Sequence, residues 1–436
     1  MTTRRQVHLG AHFPGVNATT IWSDPESGSQ IDPASFTYLA QAAEAAFFDL
    51  FFLAEGLRLR EHDGQIHDLD VVGRPDSITQ LAALASVTEH IGLVATLNTT
   101  FNEPFELARQ LSTLDVVSAG RAGWNVVTSS EPFFGANFRR GGYLPHADRY
   151  ARAEAFISTA FELWDAAGTG HVVSRRDEFF DIAARPTPPV SPQGRPVVLQ
   201  AGVSDEGRET AAKLADAIFS PFSEPEAGRT FREDIDARLR AHGREPDDLK
   251  ILPAATIVVG DTHEEALERA RYERWAQVSP ATAVRYVESV WGRRLPGFDP
   301  DGELPPLSDV QEGVELTAGR AAHHRDSRAQ AETLHELASS HGLTARGAVV
   351  EATTRGSALV GTAAELAATI DERVQSRACD GYILVPAITP TGLDAVFTSV
   401  VPLLQERGVF RTSWEGEVLR DRLGSRTPTP ALSTTF

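Results

Sequence analysis

The chain has 436 residues, 42% hydrophobic and 23% charged, which is the composition of an ordinary soluble globular protein with enough apolar material for a large core. Its formal net charge of -19 argues against general affinity for nucleic acid or anionic membrane, because either complex would begin against repulsion. A local basic pocket for one phosphate remains compatible with this charge. The single cysteine, Cys379, excludes an intrachain disulfide and a multi-thiolate metal centre.

The same features predict a cytoplasmic protein of one domain. The segment Met1–Gly10 has no apolar run long enough for a signal peptide, and no window of the chain approaches a membrane span. A lone cysteine fits a reducing compartment. Barrels with insertions reach this length as one domain, so we predict a single domain over residues 1–436.

The first third of the chain alternates between apolar runs and helical stretches. Strands are predicted at Val7–Phe13, Phe47–Leu53 and Ile91–Thr96, and helices over 34–46 and 76–89. The first strand would bring His12 to the mouth of a barrel, and the second ends in a loop that contains Glu55. For Glu55 the alternative is a solvated loop acid.

The loop from Leu57 to Arg74 is rich in groups that can bind metals. It contains six Asp, Glu and His residues, and their spacing matches no established zinc or calcium pattern: Glu61, His62, Asp63, His67, Asp68 and Asp70. We therefore predict no metal. A metal-dependent barrel hydrolase stays open as an alternative that would need this cluster.

The stretch Gly120–Ser129 reads as a turn followed by a buried strand that ends in polar side chains, and a helix over 147–164 comes after Pro145. Parallel barrels place their chemistry at the carboxyl ends of strands, where Asn125 would lie. His146 and Tyr150 are four residues apart at the head of the helix, so both can face the same mouth. Taken singly, a histidine near a helix start could be only a cap.

Two turns add candidate cofactor contacts. Hydroxyl and amide groups cluster in Leu97–Pro104, where Thr100 alone could be a turn or cap residue. The turn Gly202–Arg208 follows a predicted fifth strand, Pro196–Ala201, and opens a helix. Its small residues, the Ser204 hydroxyl and the helix N-terminus suit a phosphate, although serine is also a common N-cap.

The rest of the chain continues the alternation. A sixth strand is predicted at Ala217–Ser220, a helix over 225–242, a seventh strand at Ile251–Val259 and an eighth at Gly381–Pro386. Residues 261–343 are helical, charged and interrupted by Pro296–Pro306. Thr362 and Glu365 predict a capping box. The fold class is therefore α/β, with a parallel (β/α)8 TIM barrel as the prediction.

Gly120–Ser129 with Pro145–Tyr150, the turn Gly202–Arg208 and the tail Val409–Gly424 closely resemble one family. It is the flavin-dependent monooxygenases of the bacterial luciferase-like superfamily, typified by nitrilotriacetate monooxygenase component A and dibenzothiophene-sulfone monooxygenase. The resemblance runs nearly end to end. It implies a TIM barrel whose long insertion before the last strand, 261–343, covers the mouth and shapes the substrate pocket.

The resemblance also implies an activity. Such a protein binds reduced FMN (FMNH2) from a separate NAD(P)H:FMN reductase, uses O2 to oxygenate a small organic substrate, and forms a homodimer or homotetramer. The implied catalytic residues are His146, Asn125 and His12. Relatives usually carry Asp at the position of Glu55. The implied cofactor-binding residues are Glu55, Thr100, Asn125, His146, Tyr150 and Ser204.

Other readings have less support from the sequence. No G-x-G-x-x-G after a strand, no phosphate-binding G-x-x-x-x-G-K-[ST], no G-x-S-x-G and no H-E-x-x-H occurs. A deazaflavin (F420)-dependent oxidoreductase and a non-catalytic flavin-binding protein both fit the same barrel, and they remain alternatives. The sequence does not identify the substrate.

Overall fold

Eight parallel strands close into a barrel in the computed structural model, which describes residues 4–15, 19–67, 69–129, 132–138, 146–186, 189–202, 204–222, 224–319, 326–354 and 359–426. Each strand pairs with its neighbour in chain order, and the last pairs with the first. The predicted TIM barrel is confirmed. Its strands are β1 His8–Phe13, β2 Leu50–Leu53, β3 Gly92–Asn98, β4 Ala122–Val127, β5 Val197–Gln200, β6 Ala217–Ser220, β7 Lys250–Ala255 and β8 Gly381–Leu384.

Helices surround the barrel and connect its strands. The capping box is confirmed, because the Thr362 hydroxyl accepts from the Glu365 N–H while the Glu365 carboxylate accepts from the Thr362 N–H. The helices of two turns or more are Pro33–Ala45, Ser77–Ala85, Pro104–Val117, His146–Ala166, Asp205–Leu214, Pro225–Ala241, His263–Ala276, Pro280–Trp291, Ser327–His341, Ala345–Thr353 and Ala363–Gln375. Shorter helical segments are Pro132–Gly135, Val401–Glu406 and Leu419–Arg422. None of the described helices combines the length and the apolar character needed to cross a membrane.

Two predicted strands differ clearly from the structure in their bounds. The second strand begins at Leu50, because Phe47 adopts a left-handed backbone with φ of 62° that ends the preceding helix. The seventh strand was predicted too long. It leaves the barrel after Ala255, and the next segment, Ile257–Val259, pairs with Leu359–Gly361 instead.

A hairpin was also missed. Residues 173–176 and 181–184 form an antiparallel pair in a stretch for which no strand was predicted. This hairpin carries charges on both strands, so it lacks the apolar alternation that marks a strand in a sequence.

Side chains fill the interior of the barrel. Alternate residues of each strand point inward, as at Leu50 and Phe52 of β2. The chain's C-terminal part contributes Leu419 and Leu423 to the same packing. The interior cluster comprises Leu50, Phe52, Val94, Val197, Leu199, Ala217, Leu252, Ile383, Leu419 and Leu423, with Phe219 packed against it.

The segment that contains Leu419 and Leu423 closes the amino end of the barrel. A Cβ at Gly92, the first residue of β3, would lie 2.6 Å from Leu419 Cδ1. The Leu419 N–H donates to the Gly120 carbonyl at 2.9 Å, and Arg420 pairs with Asp216, just before β6. The amino end is therefore filled, and the carboxyl end of the strands forms the mouth.

The region between β7 and β8 builds a second apolar core of its own. Val278 and three helices supply it: Pro280–Trp291, Ser327–His341 and Ala345–Thr353. This helical region therefore extends ten residues beyond the predicted limit at 343. It touches the loop after β2, because Thr317–Ala318 pairs antiparallel with Glu61–His62. The core residues are Val278, Ala283, Val287, Val290, Trp291, Ala331, Leu334, Ala348, Val349 and Val350.

We predict that Leu419→Ala lowers the free energy of unfolding by about 2–5 kcal/mol, because it opens a cavity in the filled end of the barrel. Leu267→Ala, at a leucine whose exposed fraction is 42%, serves as the control and should change stability by less than about 0.5 kcal/mol. Urea unfolding of the three proteins measures both effects. Equal losses for the two variants would contradict the proposed closure by Leu419.

Candidate active site

An aromatic floor, formed by His12, Phe52 and Phe219, lies below the mouth. The His12 and Phe52 rings meet edge to face with centroids 5.1 Å apart, and Phe52 stacks on Phe219 at 5.5 Å. β6 lies across the barrel from β2, so these rings span the lumen. Burial, aided by the charge of Arg74, lowers the pKa of His12 to about 3. His12 is therefore neutral at physiological pH.

A polar wall above the floor comes from β3 and β4. Their parallel register sets Thr96 beside Asn125, and the Asn125 Nδ2 donates to Thr96 Oγ1 at 3.2 Å. Two residues further, Asn98 Oδ1 accepts from the N–H groups of Thr100 and Phe101 at 2.6 and 3.1 Å. The amide of Asn98 thus fixes the turn that carries Thr100.

Two arginines of the helix His146–Ala166 connect the loops after β3 and β4. Arg149 donates to the Ser129 carbonyl at 3.1 Å, and Arg152 donates to the carbonyls of Thr99 and Asn102. Sequence reasoning missed both arginines and Asn98. Their spacing of three residues, directly after the sequence that contains His146, was the signal that could have revealed a shared helix face.

The turn after β5 has the features expected of a phosphate cradle. Ser204 is the N-cap of the helix Asp205–Leu214, and its hydroxyl accepts from the Gly207 N–H at 3.2 Å. It also donates to the Tyr150 hydroxyl at 3.2 Å, so these two predicted contacts lie together. A Cβ at Gly202 would lie 2.9 Å from the Tyr150 oxygen, so only glycine leaves this backbone open.

Glu55 lies half-buried in the loop after β2. The backbone N–H of Ser77, at the start of the next helix, hydrogen-bonds to its carboxylate. Burial and the charge of Asp76 nevertheless raise the pKa of Glu55 to about 7. Glu55 is thus partly enclosed, whereas the alternative takes it as a solvated loop acid.

His146 is the first residue of its helix, and its side chain lies outside the described part of the structure. The loop of residues 139–145 that precedes it also lies outside. The predicted role of His146 therefore stays a prediction.

The acidic and histidine residues of the loop 57–74 bind to protein groups instead of converging. Asp70 pairs with Arg60 through the guanidinium Nε and Nη2 at 3.1 and 3.0 Å. His62 bonds to Thr317 and Glu288, each at 2.8 Å. Asp68 lies outside the described residues. Within the described ranges, no three His, Cys, Asp or Glu residues are grouped to hold a metal ion.

The mouth contains buried polar atoms whose partners are missing from the described chain. They are His12 Nδ1, Thr100 Oγ1 and Asn125 Oδ1. A buried polar atom without a partner costs about 1–3 kcal/mol, so such atoms point to a ligand with complementary donors and acceptors. A flavin ring offers both along its edge, and its phosphate suits the turn that carries Ser204. These residues fit FMN.

Comparison with known proteins agrees with this geometry. The profile of the family described as luciferase-like monooxygenase matches residues 14–380. Nitrilotriacetate monooxygenase component A of Aminobacter aminovorans is 34% identical over 96% of this chain and 95% of its own. N-acetyl-S-(2-succino)cysteine monooxygenase of Bacillus subtilis is 34% identical, and dibenzothiophene-sulfone monooxygenase of Rhodococcus erythropolis 32%, each over 98% of both chains.

Solved structures give the same result. A riboflavin lyase crystallised with modified FMN superposes with a TM-score of 0.75 at 28% identity, covering 97% of both chains. EDTA monooxygenase from Chelativorans sp. BNC1 also gives 0.75, at 25% identity over 97% of this chain and 99% of its own. An F420-dependent reductase from Methanopyrus kandleri shares the fold alone, with a TM-score of 0.56 at 13% identity over 92% of this chain and 99% of its own. The chain therefore belongs to the luciferase-like monooxygenase family.

Proposed function

We propose that the protein oxygenates a small organic substrate with O2 and reduced FMN that a separate NAD(P)H:FMN reductase supplies. In the overall reaction one oxygen atom enters the substrate, the other leaves as water, and FMNH2 is oxidised to FMN. The observation that carries the proposal is a group of buried polar atoms at His12, Thr100 and Asn125 that have no partner among the described residues, in a chain of this family. Reduced FMN, when bound, supplies the activation of O2.

The residues of the chain hold the cofactor and exclude water. Tyr150 and Ser204 would bind the phosphate, while Thr100 and Asn125 would bind the edge of the ring. Neutral His12 would donate or accept one hydrogen bond without adding a charge to the enclosed site. The aromatic floor closes the lumen below, which keeps water away from the reacting groups. His146 would contact the cofactor or move a proton beside it.

The region 261–343 is proposed to cover the mouth of a single-domain protein. The pairing of Thr317–Ala318 with Glu61–His62 supports this, and so does the bond from His62 to Glu288. Both tie the region to the loop after β2, at the carboxyl end of the barrel. We also propose a cytoplasmic homodimer or homotetramer, in line with the resemblance.

Two alternative functions would not consume O2. A deazaflavin-dependent oxidoreductase would transfer hydride without using O2, and the F420-dependent neighbour at 13% identity supports only the shared fold. A non-catalytic flavin-binding protein would bind FMN and never consume O2. The four proteins at 25–34% identity that are named as monooxygenases favour oxygenation.

Oxygen uptake tests the proposal. The protein is mixed with an FMN reductase, NADH and a panel of amino-polycarboxylates, sulfones and aromatic compounds, and product is identified by mass. Uptake that depends on one substrate class, with a product 16 mass units heavier or its breakdown products, would support the proposal. Uptake that no substrate changes would contradict it.

Tyr150→Phe should weaken the binding of reduced FMN about tenfold to a hundredfold, because a hydrogen bond to a charged group contributes about 1.5–3 kcal/mol. Anaerobic titration measures the affinity. Tyr38→Phe is the matched control, since Tyr38 is exposed and its hydroxyl donates a hydrogen bond to the Asp394 carboxylate at 2.7 Å. Unchanged affinity in Tyr150→Phe would remove Tyr150 from the phosphate site.

Glu55→Ala should lower the product formed per FMNH2 consumed and raise the release of H2O2, because a cofactor held less firmly loses its alignment with the substrate. Glu55→Asp restores the residue common in relatives and should keep the coupling close to that of the parent. Product and H2O2 are measured side by side for the three proteins. Equal coupling in all three would show that Glu55 does not orient the cofactor.

Glu55→Gln should stabilise the protein more at pH 8 than at pH 5. Between pH 4.5 and about 7 the unfolded chain loses the Glu55 proton while the folded chain keeps it, so the parent loses stability as pH rises through this window. The difference between the two pH values should be on the order of 1–2 kcal/mol after allowance for solvent screening.

Urea unfolding at both pH values measures this difference. Glu233→Gln, at an exposed carboxylate, is the control and should show no comparable difference. A Glu55→Gln variant that behaves like this control would show that the Glu55 carboxyl is well solvated.

A further inference from the structure

Arg74 brings a positive charge to the mouth beside β1. Its Nη2 donates to the carbonyl of Pro14, directly after the end of β1, at 2.6 Å. Its Nη1 is buried, and no described residue accepts a hydrogen bond from it. A Cβ at Gly15 would lie 3.4 Å from this nitrogen. One end of the guanidinium is thus fixed to the backbone, and the other has no hydrogen-bond partner among the described residues.

Arg74 has no ion-pair partner among the carboxylates that the structure describes. Within the described ranges, no Asp or Glu oxygen lies within 4.0 Å of its guanidinium. Asp70 is the acid whose charge acts on Arg74, and its oxygens already bind Arg60 in a fully buried pair. Enclosing a cation without a counter-ion is costly, and an anionic ligand that pairs with Arg74 would remove that cost.

The position of Arg74 separates it from the proposed phosphate turn. Ser204 follows β5, and β5 lies four strands from β1 in either direction around the closed barrel. Arg74 therefore lies on the opposite side of the mouth. Its charge acts on His12, whose ring belongs to the floor. Arg74 Nη1 therefore points to a second polar subsite beside His12, near β1.

We propose that Arg74 binds a carboxylate of the substrate, with His12 beside it, and that the protein therefore selects anionic organic substrates. This subsite rests on the proposed function, because it requires that the protein act on an organic substrate. A carboxylate is the ligand that the geometry favours, because a guanidinium binds it through charge-assisted hydrogen bonds. A neutral sulfone or alkane would leave the charge of Arg74 unpaired.

Calorimetric titration with a matched pair of small probes tests the proposal without turnover. Succinate and succinamide differ in charge and are similar in size. The parent should bind succinate at least tenfold more tightly than succinamide, and Arg74→Gln should lose this preference, since a hydrogen bond to a charged group contributes about 1.5–3 kcal/mol. Arg74→Lys keeps the charge and should retain part of the preference. Arg176→Gln, at a residue whose side chain is 85% exposed, controls for net charge and should keep all of it.

Two results would overturn the proposal. One is a parent that binds succinate no better than succinamide, which can be seen without any variant. The other is an Arg74→Gln protein that keeps the parent's preference. Anaerobic titration of reduced FMN into the same proteins separates this subsite from the cofactor site. Equal FMN affinity in parent and Arg74→Gln supports a substrate role, and a tenfold loss would assign Arg74 to the cofactor and contradict the proposal.

A parent that binds succinate selectively and does not bind reduced FMN would contradict the proposed function alone.

Discussion

The parallel register between β3 and β4 is the constraint on which the candidate site depends. Six consecutive pairs, from Leu93 beside Ala122 to Asn98 beside Val127, fix the two strands relative to each other. Because both strands run in the same direction, the polar residues at their carboxyl ends lie at the same height in the barrel. Asn125 therefore meets Thr96, and Asn98 can organise the turn that carries Thr100. A shift by one residue would turn these amides away from the lumen.

The two ends of the barrel have opposite chemistry. Leucines 419 and 423 fill the amino end, where each buried methylene contributes to stability. At the carboxyl end the inward side chains change from aliphatic to His12 and Asn125, and their polar atoms lack partners in the described chain. Such atoms reduce stability unless a ligand satisfies them. The barrel thus separates the end that stabilises the fold from the end that binds a ligand.

The sequence predicted the barrel because buried parallel strands leave continuous apolar runs, as in Leu50–Leu53 and Val197–Leu199. The family was confirmed because its motifs span nearly the whole chain. Local features were also predictable where one side chain acts on its own turn, as with Ser204 and Thr362 at their helix starts. The close approach of Ser204 to Tyr150 agrees with their predicted shared role, although contact with FMN stays a prediction.

The features that were missed depend on contacts distant in sequence. Asn98 matters because β4 places Ser129 against it, and Arg149 and Arg152 matter because their helix packs over two loops. The hydrogen bonds of His62 join residues more than 200 positions apart. The lack of a partner for Arg74 among the described carboxylates could not be read from sequence either, because Asp70 is close in the chain and binds Arg60 instead. No pattern of spacing contains this information.

Anaerobic equilibrium dialysis of the purified protein measures whether the mouth binds reduced FMN. Reduced FMN is offered alone and then against an excess of a reduced deazaflavin. Reduced FMN should bind in a 1:1 ratio to the chain, and the deazaflavin should not displace it. Failure of reduced FMN to bind, or its displacement by the deazaflavin, would contradict the proposed cofactor site.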